Sequence, residues 1–409
     1  QRDVDVETFP HQQVARAHGG ALAGGGLQTA RNYGGRLLGK LKGQRELTLN
    51  DNLLRLLALR QRQLPRILRN FEFFADWLSQ NVEKAGMQDD AYLRYVLREP
   101  AGVAALISPW NAPLALASTK VAAALAFGNC CVLKTAETTP LAVARFMDIL
   151  TEAGVPAGVV NLINGRGQVT GDALVRHPDV RVVSFTGGTA TGRAIAAAAA
   201  PGLKRVDLEL GGKSANIITE TAVLDDALDG ALTSIYTNNG QQCFAGSRIL
   251  VQRRVADEFI GRFVARAQAI RVGDPLDERT EVGPLSNLAH WQRVQGFTEL
   301  ARAEGGQLLC GGDRPAHLDK GYYLNPTAVL MPGNDNRVCQ EEIFGPVLPI
   351  KTYDRIEETI EYVNAHDRPL GLYYFGEDAG EQRQVLDRTI SGGVTVNEAS
   401  MEGVGPTRC

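Results

Sequence analysis

The 409-residue chain has little of what would mark a specialised scaffold. Its six cysteines are too sparse for a disulfide framework. None has a histidine at metal-ligand spacing, which argues against a zinc site and leaves no metal expected. Charge of one sign is also lacking: 43 Lys and Arg against 46 Asp and Glu leave a net −3. With no basic run either, there is no electrostatic case for nucleic acid. Long apolar runs are absent. The most apolar stretch, 103–133, is interrupted by Pro109, Asn111, Pro113, Lys120 and Asn129. A membrane span needs about 20 predominantly apolar residues, so this stretch reads as a buried strand, loop, helix and strand. The N-terminal Gln1-Arg2-Asp3-Val4-Asp5 offers no apolar leader segment, and reduced thiols in a cytoplasmic setting are the expectation. What remains is 44% hydrophobic and 22% charged, ordinary for a globular chain long enough for two or more packed units.

Residues 1–64 carry the weakest pattern: a glycine-rich run at 19–26, then an Arg-rich amphipathic helix over Asn52–Leu68. Residues 70–77 form an apolar helix face, and Tyr92–Arg98 alternates as a strand does. From there strands and helices take turns. Strands are predicted at 103–107, 130–133, 159–163, 180–185 and 205–210, with helices at 120–127, 142–153, 171–177 and 191–200. The second half repeats the alternation, with helices at 224–236, 256–269, 290–304 and 356–366 and strands at 247–251 and 346–353. Short apolar strands separated by helices imply parallel, doubly wound sheets, and two α/β units without internal repeat are the simplest organisation.

Two short runs carry the chemistry. Cys243 follows Gly240-Gln241-Gln242 in a polar turn after a helix, where backbone N–H groups can favour a thiolate. The other cysteines are weaker candidates: Cys130 and Cys131 lie in the strand before Lys134, Cys310 ends the strand-like Gln307-Leu308-Leu309, Cys339 precedes Gln340-Glu341, and Cys409 is terminal. Glu209 closes a strand between Leu208 and Leu210, just before Gly211-Gly212. Strand ends of an α/β sheet gather ligands, and apolar flanks raise a carboxyl toward a usable base. Asn111, in Pro109-Trp110-Asn111, offers an amide donor for a developing oxyanion. A dinucleotide signal is spread over three strand–helix junctions: Lys134 with Glu137, Gly167 with Gly171, and the run Phe185-Thr186-Gly187 with Gly192. An acid near the adenosine ribose repels a 2′-phosphate, so NAD is favoured over NADP.

The runs Leu208–Lys213, Asn239–Cys243 and Glu341-Glu342-Ile343-Phe344-Gly345-Pro346-Val347 together resemble the NAD(P)-dependent aldehyde dehydrogenase superfamily, over roughly residues 65–397. The resemblance implies a Rossmann-like cofactor domain (1–87 and 103–211), an oligomerisation arm (88–102), an α/β catalytic domain (212–397) and a short tail (398–409). It implies Cys243 as nucleophile, Glu209 as the base that activates water, and Asn111 as oxyanion donor. Leu210 joins the cofactor contacts, with Glu342 on the nicotinamide ribose and Phe344 beside the ring. The implied partners are an aldehyde and further copies of the chain, as a homodimer or homotetramer. Arg66 and Trp110 match substrate positions of the hydroxymuconic-semialdehyde branch, whereas 368–375 looks like the coniferyl-type branch, so the aldehyde stays open. Beyond Asn397 the family continues through a loop and tail with no counterpart here. A catalytically silent, binding-only relative is therefore the alternative.

Overall fold

The computed structural model describes residues 63–80, 85–89, 92–96, 98–365 and 369–399. The run 19–26, most of the expected helix 52–68, residues 366–368 and the tail from 400, Cys409 included, lie outside them. The described chain folds as two compact units, with the boundary between Glu209 and Leu210.

The first unit begins with α1 (Gln63–Gln80) and an antiparallel hairpin, β1 (Ala85–Asp89) and β2 (Tyr92–Tyr95). There follow β3 (Val103–Ile107), α2 (Pro113–Ala126), β4 (Cys130–Lys134), α3 (Pro140–Glu152), β5 (Val160–Ile163), a π turn at Gly167–Gly171, α4 (Asp172–Arg176), β6 (Val180–Thr186), α5 (Thr189–Ala199) and β7 (Arg205–Glu209). The sheet order is β5-β4-β3-β6-β7, every neighbouring pair parallel. This is the Rossmann order, with its reversal between β3 and β6, where such sheets open a crevice at the carboxyl ends of the strands. Helix α2 starts at Pro113, a full turn and more before the position expected from the sequence. The proline occupies the first helical turn, where its fixed φ helps and its missing N–H costs nothing. Helix α1 is docked by buried Asn70, whose amide donates to Ala115 O at 3.2 Å and Ser118 Oγ at 2.9 Å.

The second unit runs β8 (Ala215–Ile218), α6 (Leu224–Tyr236), β9 (Arg248–Gln252), α7 (Arg253–Ala269), α8 (Leu288–Ala303), β10 (Gln307–Cys310), β11 (Thr327–Leu330), α9 (Arg337–Gln340), β12 (Val347–Tyr353), α10 (Ile356–Asn364), β13 (Gly371–Phe375), α11 (Ala379–Arg388) and β14 (Gly393–Val396). Its seven strands are ordered β10-β11-β12-β9-β8-β13-β14, parallel except for the edge pair β10/β11. Side chains alternate across each strand. Ile218, Ile249, Val251, Tyr373 and Phe375 meet Leu228, Phe259 and Phe263 on one face. Ile217, Leu250, Leu372 and Tyr374 meet Ile360, Val363 and Val385 on the other. Both faces are covered, which is why these strands are continuous apolar runs. Each such buried side chain contributes about 1.5–3 kcal/mol relative to exposure.

Candidate active site

In the first unit, register places Thr186 opposite Glu209 and Ser184 opposite Asp207. Asp207 and Glu209, two residues apart, therefore share a face of β7. The Glu209 carbonyl accepts the Gly187 N–H at 3.1 Å, which fixes the strand end. Burial raises the Glu209 carboxyl above its ordinary range, Asp207 raises it further, and Lys120 pulls it back. Lys120, buried within α2, donates to Ser184 Oγ at 2.7 Å, and that hydroxyl donates to Asp207 Oδ2 at 2.8 Å. Asn111 and Trp110 lie half-buried in the loop between β3 and α2, and Arg66 is half-buried on α1.

The expected cofactor residues gather at the carboxyl ends of β4, β5 and β6. Glu137 accepts the Gly167 N–H at 2.7 Å. The buried Lys134 side chain runs beside Gly171, where a Cβ would lie 3.6 Å from its Cδ, and its ammonium donates to Thr135 O at 3.1 Å. Burial lowers the Lys134 ammonium, with Glu137 opposing. A Cβ at Gly187 would come within 2.5 Å of the Phe185 ring. Gly192 is buried one turn into α5. Three features fit a dinucleotide: α5 has no side-chain cap at Gly188, a Cβ at Gly167 would meet nothing within 4 Å, and two hydroxyls at the strand-order reversal are orphaned. Those are Ser108 Oγ after β3 and Thr186 Oγ1 at the end of β6, both buried and without a hydrogen-bond partner.

In the second unit, Cys243 is presented by a turn at the end of α6. Asn238, Asn239 and Gly240 are left-handed in succession, at φ 52°, 59° and 69°. Asn tolerates that region and Gly adopts it freely. The turn bonds itself: Gln241 N–H and its side-chain amide both donate to Asn238 O at 3.0 Å, and the Gln242 amide donates to Thr237 O at 3.0 Å. Asn239 ties it to Gly283 O at 2.7 Å. Cys243 is left half-buried. Burial, and then the neighbouring Cys243 sulfur, pushes the Tyr373 phenol well up, and that phenol donates to Phe244 O at 2.5 Å. Cys131, Cys310 and Cys339 are buried, and burial raises each thiol, Cys131 to about 12 with Cys130 adding to it.

The remaining expected residues surround Gly211-Gly212. Glu342 Oε1 accepts the Gly212 N–H at 3.3 Å, and a Cβ at Gly211 would lie only 1.9 Å from that oxygen. Burial raises the Glu342 carboxyl, opposed by the Gly212 bond, Arg293 and Lys213. Leu210 is half-buried beside this pair. Phe344 stands at φ 61°, a conformation that costs a bulky residue about 1–3 kcal/mol.

The aldehyde dehydrogenase family model matches residues 54–406. The chain is 45% identical over 339 residues to the 5-carboxymethyl-2-hydroxymuconate semialdehyde dehydrogenase of Escherichia coli, covering 82% of this chain and 72% of that protein. The chain belongs to the aldehyde dehydrogenase family. This family member is also 41% identical over 305 residues to the betaine aldehyde dehydrogenase of Bacillus subtilis, covering 74% of this chain but only 62% of that relative. A solved NAD+ complex of a Bacillus cereus aldehyde dehydrogenase matches with a TM-score of 0.87 at 34% identity, over 97% of this chain and 79% of that one. A second model, for a domain of unknown function, matches residues 13–76. Among the described residues no helix is long and apolar enough to cross a membrane, and no His, Cys, Asp and Glu cluster could hold a metal.

Sequence reasoning missed several residues around these aldehyde dehydrogenase motifs. Lys120 figured only as an interruption of an apolar run, although a lysine among alanines was itself a signal. Ser184 and Asp207 join it through strand register alone. His290 and Arg293 in α8 gave no sign in the sequence.

Proposed function

We propose that this aldehyde dehydrogenase family member oxidises an aldehyde to its carboxylic acid with NAD as hydride acceptor. The Cys243 sulfur bonds the carbonyl carbon to give a thiohemiacetal. The Asn111 amide and the Cys243 backbone N–H donate to the oxygen as it gains charge. Bound NAD supplies the nicotinamide C4 that accepts hydride. Loss of that hydride from carbon leaves a thioester on Cys243. Glu209 then takes a proton from water, and the resulting hydroxide attacks the thioester carbon, releasing the acid and the thiolate. Lys134, Glu137, Gly167, Gly171, Phe185, Thr186, Gly187 and Gly192 are the contacts for the adenosine and pyrophosphate part, Leu210 is a further cofactor contact, and Glu342 and Phe344 serve the nicotinamide half. Glu137 favours NAD over NADP. The same reading assigns the arm 88–102, which takes in the end of β1 and all of β2, to pairing between subunits in a homodimer or homotetramer, which sedimentation would test.

The observation that carries the reading is the contrast among thiols. Cys243 sits half-buried on a polar, left-handed turn, while burial raises the thiols of Cys130, Cys131, Cys310 and Cys339. The test follows NADH formation across a panel spanning an anionic semialdehyde, a cationic aldehyde and a neutral aromatic one. Those choices reflect the E. coli and B. subtilis relatives and leave Arg66 and Trp110 to be assessed by substitution. Wild type should form NADH and Cys243→Ala none. Glu209→Gln should give one burst of NADH and then a steady rate about 10²–10⁴-fold lower. Folded, NAD-binding wild type that forms no NADH with any aldehyde would overturn the proposal in favour of a binding-only relative.

A further inference from the structure

Three consecutive backbone carbonyls, of Glu342, Ile343 and Phe344, are held by one face of α8. Arg293 forks across the first two, Nη2 donating to Glu342 O at 2.5 Å and Nη1 to Ile343 O at 2.6 Å. The guanidinium is steadied in turn by the Phe297 ring, whose centroid lies 5.1 Å away. His290, three residues earlier and so on the same helix face, reaches Phe344 O at 2.8 Å through Nε2. A carbonyl only accepts, so that nitrogen carries the proton. The two rings also meet edge-on, at 6.1 Å and 73°. Val294 closes the contact: a Cβ at Gly345 would fall 2.6 Å from it.

Phe344 is left-handed at φ 61°. A bulky residue keeps that conformation only where its surroundings over-determine it. Here the surroundings are the Arg293 fork and the His290 donor. The Glu342 side chain, carried on this same segment, accepts the Gly212 N–H at 3.3 Å. We propose that Arg293 and His290 are positioning residues: they hold Phe344 left-handed and so aim Glu342 and Phe344 at the nicotinamide half of the cofactor. The proposal rests on the reading of Glu342 and Phe344 as nicotinamide contacts.

The test measures NAD binding by calorimetry, and KM for NAD against kcat, for Arg293→Met, Arg293→Lys, His290→Gln and Glu342→Gln. Each α8 variant is made in the wild type and in a Phe344→Gly background, where glycine adopts the left-handed region without help. Arg293→Met should weaken NAD about tenfold, roughly 1.4 kcal/mol, raising KM more than it lowers kcat. Arg293→Lys, which keeps the charge and one donor, should lose about threefold, and His290→Gln, which keeps a donor, less than that. In the Phe344→Gly background the Arg293→Met loss should shrink below about threefold, because the clamp has nothing left to hold. Equal losses in both backgrounds, or unchanged NAD binding in Arg293→Met, overturn the clamp. If Arg293→Met does not fold, Arg293→Lys and His290→Gln decide by the same coupling. Glu342→Gln separates the two layers: if it weakens NAD while the α8 variants do not, only the clamp falls. If it too leaves NAD binding unchanged, the assignment of Glu342 falls with it.

Discussion

Gly167 in the first unit and Gly211 and Gly240 in the second serve different ends. At Gly167, in the first unit, an added Cβ would meet nothing within 4 Å. At Gly211 in the second it would lie 1.9 Å from Glu342, and at Gly240 it would lie 2.5 Å from Gly345 O. The first faces open space. The others let two protein segments touch. A motif glycine in a sequence does not say which of these it does, and the two uses fail differently when a side chain is added.

The sharpest way to break the comparison is Gly240→Ala. The residue stands at φ 69°, and the new Cβ would press on two backbone oxygens, Gly345 O at 2.5 Å and Ile235 O at 3.0 Å. Neither can swing aside as a side chain would. The variant should lose about 3 kcal/mol or more of stability in denaturant unfolding, and its Cys243 turn with it. A loss under about 1 kcal/mol would mean that the turn is held by something other than its backbone. Lys213, next along from Gly212, extends the packed side of the comparison to charge. It is fully buried, its Nζ lacks a hydrogen-bond partner among the described residues, and burial brings its ammonium down from 10.5 to about 7. Across that window the unfolded chain binds a proton that the folded chain lacks. Stability should therefore rise with pH there, by up to about 1.4 kcal/mol per unit. Lys213→Met removes the titrating group, so its stability should climb less steeply than wild type between roughly pH 7.5 and 9.5. Parallel curves would rule out a buried amine at this position.

The same distinction explains how much was legible beforehand. The central strands of the first unit were readable because a parallel sheet covered on both faces writes such a strand as an apolar run, as in Val103–Ile107 and Cys130–Lys134. β8 escaped notice because Asn216 sits in its middle, buried and donating to Gly246 O at 3.0 Å. Cys243, Glu209 and the glycine runs were legible because their chemistry depends on short local sequences. The Lys120–Ser184–Asp207 chain was not, since its members come from three elements and meet only through packing and register. Nor does any local pattern announce that Phe344 will be left-handed, because what holds it is a helix more than forty residues away in sequence.

On the open side, Gly167→Val should behave in the opposite way to Gly240→Ala. Its Cβ branches enter empty space, so the melting temperature should stay within a few degrees. The side chain would instead fill space proposed for the cofactor, and NAD affinity should fall about tenfold. Unchanged affinity would show that the space at Gly167 is not cofactor space.

The smallest effect concerns Glu209. Its carboxyl is raised by burial first and by Asp207 second, while Lys120 opposes. The base works only when ionised, so thioester hydrolysis should fall as pH drops through that raised value. Asp207→Asn removes a repelling negative charge and should move the acid limb of kcat to lower pH. Lys120→Met removes an attracting positive charge and should move it to higher pH. Asp207 is exposed and therefore partly screened, so its shift should be modest and should shrink further as salt is added. Opposed shifts would tie the limb to Glu209 through its two charged neighbours. Shifts in the same direction would mean that the limb reports a different group.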